Sequence, residues 1–210
     1  MASFDIDVVK YRGENEDFVN VPAGTVHIGS GAFADHSELV SVLLPEGLVS
    51  IGDGAFRGCN ALTEIKLPST LREIGANAFL GCSSLEEIDI PDGVEVIPDS
   101  TFNMCSRLRR VTGGRGLYGI GASAFSSCTS LVECEPLGVA VDVGKLAFSG
   151  CFSMGKIVLP EYMVYLGHAA FRCCTSLREV TIPRVTETME GDPYVLCSDD
   201  LAFIKRPDEE

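Results

Sequence analysis

The sequence predicts an α/β solenoid that is rich in β-structure, with one parallel strand, a short second strand and one helical turn in each coil. Three observations predict it: phenylalanine returns every 23 residues, other apolar positions and cysteine recur in the same phase, and the register never slips. The aromatic positions are Phe33, Phe56, Phe79, Phe102, Phe125, Phe148 and Phe171, followed by Tyr194. A fixed period of this size indicates units that bury their hydrophobic faces only by stacking on one another.

Cysteine and aliphatic residues follow each phenylalanine at constant distances. The cysteines in the third following position are Cys59, Cys82, Cys105, Cys128, Cys151, Cys174 and Cys197, and His36 holds that position in the first unit. Leucine or methionine stands six residues after each phenylalanine, from Leu39 to Leu177. Units stacked in register would therefore place like residues above like residues, about 4.8 Å apart.

The first strand of each unit is indicated by alternation of apolar and charged residues. Ile65 and Leu67 alternate with Glu64 and Lys66, which is the period of a half-buried strand. Pro68 ends this strand because proline cannot donate a hydrogen bond to the ladder.

The rest of the unit contains a second strand and a turn. The segment from Leu71 to Ile74, followed by Gly75, shows a shorter apolar alternation and predicts a second strand on another side of the coil. The segment 76–82 is too short for an independent helix, and we interpret it as one helical turn that buries Phe79.

The whole chain, residues 1–210, is interpreted as one domain. Residues 1–17 fit an N-terminal cap, 18–190 hold about seven repeats, and 191–210 fit a degenerate repeat with an acidic C-terminal cap. Atypical segments are expected at both ends because a solenoid must cover its terminal layers.

Charge and hydropathy exclude two classes of partner. The formal net charge is −14, whereas nucleic-acid binding needs clustered positive charge, so no nucleic-acid partner is expected. No apolar run is long enough for a membrane helix, so no membrane insertion is expected.

The segment from Ile74 to Pro91 carries an Ile-Gly, Ala-Phe, Cys, Leu, Ile, Pro pattern that resembles the BspA-like leucine-rich repeat family, whose repeats are 23 residues long. The resemblance implies a right-handed, gently curved solenoid and a surface adhesion or protein-binding module without enzymatic activity. The pattern is broken by Gly113–Gly116 in the fourth unit, by Cys134 and Pro136 in the fifth, and by Met154 in the sixth.

The cysteines and histidines are explained by the repeat. The periodic cysteines are expected to form an unbonded ladder inside the coil, and Cys173 lies out of phase as a partly buried inert thiol or a modifiable one. Rungs that point the same way cannot converge on a metal, and no catalytic motif is present. We therefore predict no metal, no cofactor and no enzymatic activity.

Outward positions of the first strand form two columns that alternate in charge. They hold Glu64, Glu87, Arg110, Glu133 and Lys156 in one column and Lys66, Asp89, Thr112, Glu135 and Val158 in the other. The columns are interpreted either as a solvated surface, with Arg110 paired to its neighbours, or as a protein-binding face on the expected concave sheet.

A second candidate contact patch lies in the irregular middle units. Tyr118, Phe152, Tyr162 and Tyr165 fall outside the core positions, beside Arg115. Aromatic and arginine side chains dominate binding hot spots, so these residues are predicted to contact a protein partner.

Function is predicted as a non-catalytic scaffold that binds a protein partner of unknown identity, alone or as a subunit of a larger assembly. The unpaired thiols favour an intracellular, cytoplasmic location. The alternative is an extracellular or cell-surface adhesion module of the same fold.

Overall fold

The computed structural model describes residues 4–6, 17–197 and 200–204 as a stack of parallel β-coils. In chain order, the first nine strands are β1 (Phe4–Ile6), β2 (Phe18–Asn20), β3 (Thr25–Ile28), β4 (Ser41–Leu43), β5 (Ser50–Ile51), β6 (Glu64–Ile65), β7 (Glu73–Ile74), β8 (Glu87–Ile90) and β9 (Val96–Ile97). They are followed by β10 (Arg110–Gly113), β11 (Gly119–Ile120), β12 (Glu133–Cys134), β13 (Asp142–Val143), β14 (Lys156–Val158), β15 (Tyr162–Leu166), β16 (Glu179–Thr181), β17 (Val185–Met189) and β18 (Ala202–Ile204).

Strands alternate between two sides of the coil, which we call face A and face B. Face A holds the even-numbered strands and face B the odd-numbered ones, and every paired strand runs parallel to its neighbour. From β2 onward, each paired residue meets the residue one repeat away, as Arg110 does with Glu133 and Gly119 with Asp142. The two strands predicted for each unit are therefore present, and they lie on different sides.

The third side of the coil is the part of each unit that carries the repeated phenylalanine and cysteine, such as 76–82. It is not helical, so the predicted α/β class with a helical turn in each repeat is wrong. The segment is a series of tight turns, and Glu135–Gly138 is the one helix, a 3-10 helix, among the described residues. Gly54 and Gly58, two residues before and after Phe56, have φ values of +59° and +73°. Such left-handed residues interrupt a right-handed helix.

Backbone hydrogen bonds on this third side alternate between short turns within a coil and bonds to the neighbouring coil. The N–H of Phe56 donates to the carbonyl oxygen of Ala78 at 2.7 Å, and the N–H of Phe79 donates to that of Thr101 at 2.8 Å. The third side thus forms its own ladder, which satisfies backbone groups that would otherwise be buried without partners.

Aromatic rings form a continuous column through the interior. Phe33 to Phe171 and Tyr194 stack with centroids 5.1 to 5.5 Å apart and interplanar angles of 2° to 15°. The prediction that like residues lie above like residues is confirmed. The column ends at Tyr194, against which Phe203 packs edge-on at 5.1 Å.

Both faces are interrupted where the repeat pattern changes. Face B is broken between β7 and β9, where Pro98 replaces a glycine whose N–H would donate to the previous coil, as Gly75 does to Ile51 at 2.7 Å. Face A is broken between β6 and β8, and again between β12 and β14, where the 3-10 helix Glu135–Gly138 intervenes. Face B remains continuous over its five strands from β9 to β17.

The predicted N-terminal cap lies largely outside the described residues, which include only 4–6 and 17 of it, whereas the C-terminal segment 191–210 is described except for 198–199 and 205–210. The described parts continue the sheets, since β1 pairs with β3 and β18 pairs with β16. The capping role of both ends stays a prediction.

Candidate interaction surfaces

Face A presents the two charged columns outward. The side chains of Glu87, Asp89 and Arg110 are exposed, whereas Ile88 and Val111 between them are buried. The same holds for Glu64, Lys66, Glu133, Glu135, Lys156 and Val158, and Thr112 is half-buried. The alternation of the first strand therefore places these column residues at the surface, except Glu135, which is exposed on the 3-10 helix Glu135–Gly138 and not on a strand as predicted.

On face A, charged side chains of neighbouring coils form ion pairs with one another. The Arg110 guanidinium lies 3.6 Å from Glu87 and 2.9 Å from Glu133, which confirms the predicted pairing. Lys156 lies 3.1 Å from Glu179. These groups are exposed to solvent, so each pair stabilises the fold by only about 0.2 to 1 kcal/mol.

Several column residues meet at the corner that follows face A. A groove of about 820 Å³ is lined by Lys66, Asp89, Thr112, Arg115 and Glu135, among others. The Thr112 hydroxyl donates to the Asp89 carboxylate at 2.7 Å, and Glu135 accepts from the N–H of Gly113 at 3.1 Å. Arg115, which belongs to the irregular Gly113–Gly116 segment, therefore lies beside the charged columns at this corner.

A second cleft, of about 730 Å³, occupies the break between β12 and β14. Lys156 and Val158 line one side, Glu133 lines the other, and half-buried Cys134 ends β12 beside the cleft. Burial raises the pKa of the Cys134 thiol to about 12, so this thiol stays protonated and weakly nucleophilic at neutral pH.

The aromatic residues predicted as one patch are divided between two sides of the coil, and that prediction is corrected. Tyr162 and Tyr165 lie in β15, and Tyr118 directly precedes β11, so all three belong to face B. Phe152 lies between the third side and β14, at the edge of face A. The physical reason is the period itself, since Phe152 and Tyr162 are almost half a coil apart in sequence.

The tyrosines on face B are held by carboxylates of the next coil. The Tyr165 hydroxyl donates to Glu190 at 2.5 Å, and the Tyr162 hydroxyl donates to Glu187. The hydrogen bond to Glu190 raises the pKa of Tyr165 to about 12, and the bond to Glu187 raises the pKa of Tyr162.

Face B also exposes Val96, which the sequence analysis did not select. Val96, Tyr118 and Tyr162 are 47%, 51% and 43% exposed. We define the tyrosine patch as Val96, Tyr118, Asp142, Tyr162, Tyr165, Glu187 and Glu190. The sequence contains a signal that could have located this patch. The outward positions of the second strand change from Ser50 and Glu73 in early units to Val96 and Tyr165 in later ones.

The cysteine ladder is structural. Each periodic thiol donates to the carbonyl oxygen of the phenylalanine in the preceding coil, as Cys105 does to Phe79, with sulfur-to-oxygen distances of 2.9 to 3.3 Å. All nine cysteines are unbonded, and burial raises the pKa of Cys105 to about 12. Cys173 is half-buried and stands beside the ladder.

Among the described residues, no three His, Cys, Asp or Glu side chains form a group suited to a metal ion. Within the same part of the chain, no helix has the length and apolar character needed to cross a bilayer.

Comparison with known families gives one match over most of the chain. The family described as BspA type leucine rich repeat region matches residues 26–136 and 115–208, in 6 copies. No curated protein sequence matches this chain significantly.

Solved bacterial structures share the fold. A T. pallidum leucine-rich repeat protein is 30% identical, with a TM-score of 0.58 over 85% of this chain and 74% of that one. A leucine-rich cell surface protein from Faecalibacterium prausnitzii A2-165 is 27% identical, with a TM-score of 0.50 over 79% of this chain. A leucine-rich repeat protein from Eubacterium ventriosum is 20% identical, with a TM-score of 0.63 over 87% of this chain, and shows the fold alone. This chain spans 53% of the F. prausnitzii chain and 43% of the E. ventriosum chain.

Proposed function

The chain belongs to the BspA-type leucine-rich repeat family, and we propose that it is a non-catalytic scaffold that holds a protein partner on an exposed sheet face. The observation that carries this proposal is the division between interior and surface. The repeated Phe, Cys, Leu and Ile positions are buried in one core, and the outward strand positions carry varied polar, aromatic and charged side chains. Recognition therefore falls to the outer faces.

Face B is favoured over face A as the contact surface. Charged side chains on face A pair with one another, and a partner would have to displace those pairs. Face B instead exposes tyrosine and valine side chains on five continuous strands. Tyrosine is enriched at the energetically dominant positions of protein interfaces. The columns of face A, together with Arg115 and Phe152, remain the second candidate surface.

Two locations are to be separated for this scaffold. The cell surface is supported by the F. prausnitzii structure, a 27% identical protein described as a cell surface protein. The cytoplasm is supported only by the unbonded thiols, and these lie in the interior as parts of the repeat. The cell-surface location is therefore the one we propose, with the protein alone or as a subunit of a larger assembly.

Affinity capture with variants of each face tests the scaffold function. We expect Tyr162→Ala with Tyr165→Ala to reduce recovery of bound proteins, identified by mass spectrometry, without a large fall in melting temperature. The matched control is Met104→Ala with Leu196→Ala, which removes two side chains that are 59% and 63% exposed on the third side. Arg110→Glu tests face A. Recovery that is unchanged by the variants of both faces would contradict the proposal.

A further inference from the structure

The tyrosine patch lies on the continuous part of face B. Val96, Gly119, Asp142 and Tyr165 are register partners on successive strands from β9 to β15. Tyr118 stands one residue before Gly119, and Glu187 and Glu190 fix the hydroxyls of Tyr162 and Tyr165. At about 4.8 Å between strands, the patch spans roughly 20 Å, enough for an extended peptide segment.

Gly119 in the patch is itself buried. A Cβ atom placed there would lie 3.8 Å from the Cβ of Asp142 and 3.9 Å from Cγ2 of Val96, which are ordinary contact distances. The exposed side chain of Val96 and the carboxylate of Asp142 therefore lie on either side of this glycine. A lysine or arginine side chain has matching chemistry, because its methylene stem packs on apolar groups while its charged head reaches an acid.

The charges around Gly119 are acidic. Glu95 directly precedes β9, Asp142 and Glu187 lie in β13 and β17, and Glu190 directly follows β17. The nearby basic side chains have other contacts: Arg184 lies 3.0 Å from Glu161, and Arg72 donates to the carbonyl oxygens of Ser69 and Leu71. Lys145 and His168 follow the strands, toward the third side.

We infer that the tyrosine patch binds an extended protein segment that carries lysine or arginine side chains. This inference rests on the proposed scaffold function and names the chemistry of its partner. The rings of Tyr118 and Tyr162 attract a cation through their faces, and the carboxylates form charge-assisted hydrogen bonds with it. The same acids repel an acidic segment, which gives the surface selectivity.

A labelled short peptide in which arginine alternates with valine tests the inference by fluorescence anisotropy. We expect it to bind the full chain, to be released as salt is raised, and to bind far more tightly than the same peptide with glutamate in place of arginine. Tyr162→Ala with Tyr165→Ala should weaken binding about tenfold, because it removes two aromatic contacts.

Three further variants keep the test independent of folding. Gly119→Ala adds one methyl group at ordinary contact distances from Asp142 and Val96 at a buried position, so it should fold normally and leave binding nearly unchanged. Glu190→Gln removes one charge from the patch, and Glu73→Gln removes the same charge from β7, outside the continuous strands. We expect Glu190→Gln to weaken binding and Glu73→Gln to leave it unchanged.

Three results would overturn the inference. They are equal binding of the glutamate peptide, equal losses with Glu73→Gln and Glu190→Gln, or tyrosine-dependent binding of a neutral dextran, which would show a carbohydrate surface. If the arginine peptide does not bind while capture still depends on one face, the scaffold function stands and this inference fails. If capture ignores both faces, the scaffold function itself fails.

Discussion

At the scale of single residues, the repeat gives each position a contact with its own copies above and below. Phe102 stacks on Phe79 and Phe125 at 5.3 Å on both sides. The adjacent thiol of Cys105 donates to the carbonyl oxygen of Phe79. A small donor suits this position, because it reaches the neighbouring backbone without displacing the rings.

Phe102→Ala should therefore be strongly destabilising. It removes a fully buried ring that contacts two neighbours, and we expect the free energy of unfolding to fall by about 3 to 5 kcal/mol. Tyr194→Ala should cost less, because Tyr194 is half-buried at the end of the column. Chemical denaturation of both variants measures the difference, and equal losses would contradict the stacking account.

Tyr165 should show the effect of its hydrogen bond at alkaline pH. Its pKa is about 12 in the folded chain, against an ordinary value of 10.0. A raised pKa stabilises the folded state at pH values below the ordinary pKa, and this contribution disappears as pH rises toward about 12. Tyrosinate absorbance should show Glu190→Ala lowering one tyrosine pKa, whereas Glu73→Ala should leave the titration curve unchanged.

At the scale of elements, the distance between coils is set by close backbone contact as well as by the core. The glycine that follows the second strand in most units allows this contact. A Cβ on Gly75 would lie 2.4 Å from the backbone nitrogen of Asp53 and 2.5 Å from the carbonyl carbon of Gly52. The glycine is therefore required by space, independently of its backbone angles.

Gly75→Ala and Gly119→Ala form a matched pair on face B. We expect Gly75→Ala to lower the free energy of unfolding by about 1 to 3 kcal/mol or more, since the coils must move apart. Gly119→Ala should change it by less than about 0.5 kcal/mol, because its nearest neighbours lie at 3.8 Å. Thermal melts of both proteins provide the measurement. A similar loss at Gly119 would show that any side chain disturbs the sheet.

At the scale of the whole molecule, the column of buried thiols allows the fold to be tested by measuring how fast each cysteine reacts with a thiol reagent. Six cysteines of the ladder are fully buried, whereas Cys134, Cys173 and Cys197 are half-buried. In the folded chain we expect a thiol reagent to react first at half-buried cysteines such as Cys173 and Cys197, and very slowly with the six buried cysteines of the ladder.

Counting thiols after denaturation separates the two proposed locations. Nine reactive thiols in freshly purified material would favour a reducing compartment. Fewer than nine would show that some cysteines were bonded, as expected for an exported protein. Fast reaction of the six buried ladder cysteines in the folded state would instead contradict the buried interior.

The sequence by itself determined the period, the two strands in each coil and the inward positions, because a stacked solenoid places equivalent residues in equivalent environments. Phe79, Cys82 and Ile88 are buried, as their repeated positions in the sequence predict. Arg110 pairs with Glu87 and Glu133, which its register places on the neighbouring strands.

Only the tertiary structure decided the third side and the division of the surface. The turns around Phe56 look like a helical turn in sequence, but the N–H of Phe56 donates to Ala78 of the next coil, which is 22 residues away. Likewise, Phe152 and Tyr162 are close in sequence and lie on different sides, whereas Tyr165 meets Glu190 from the following coil. Contacts between coils decide both features, since local sequence does not specify where the chain closes each turn.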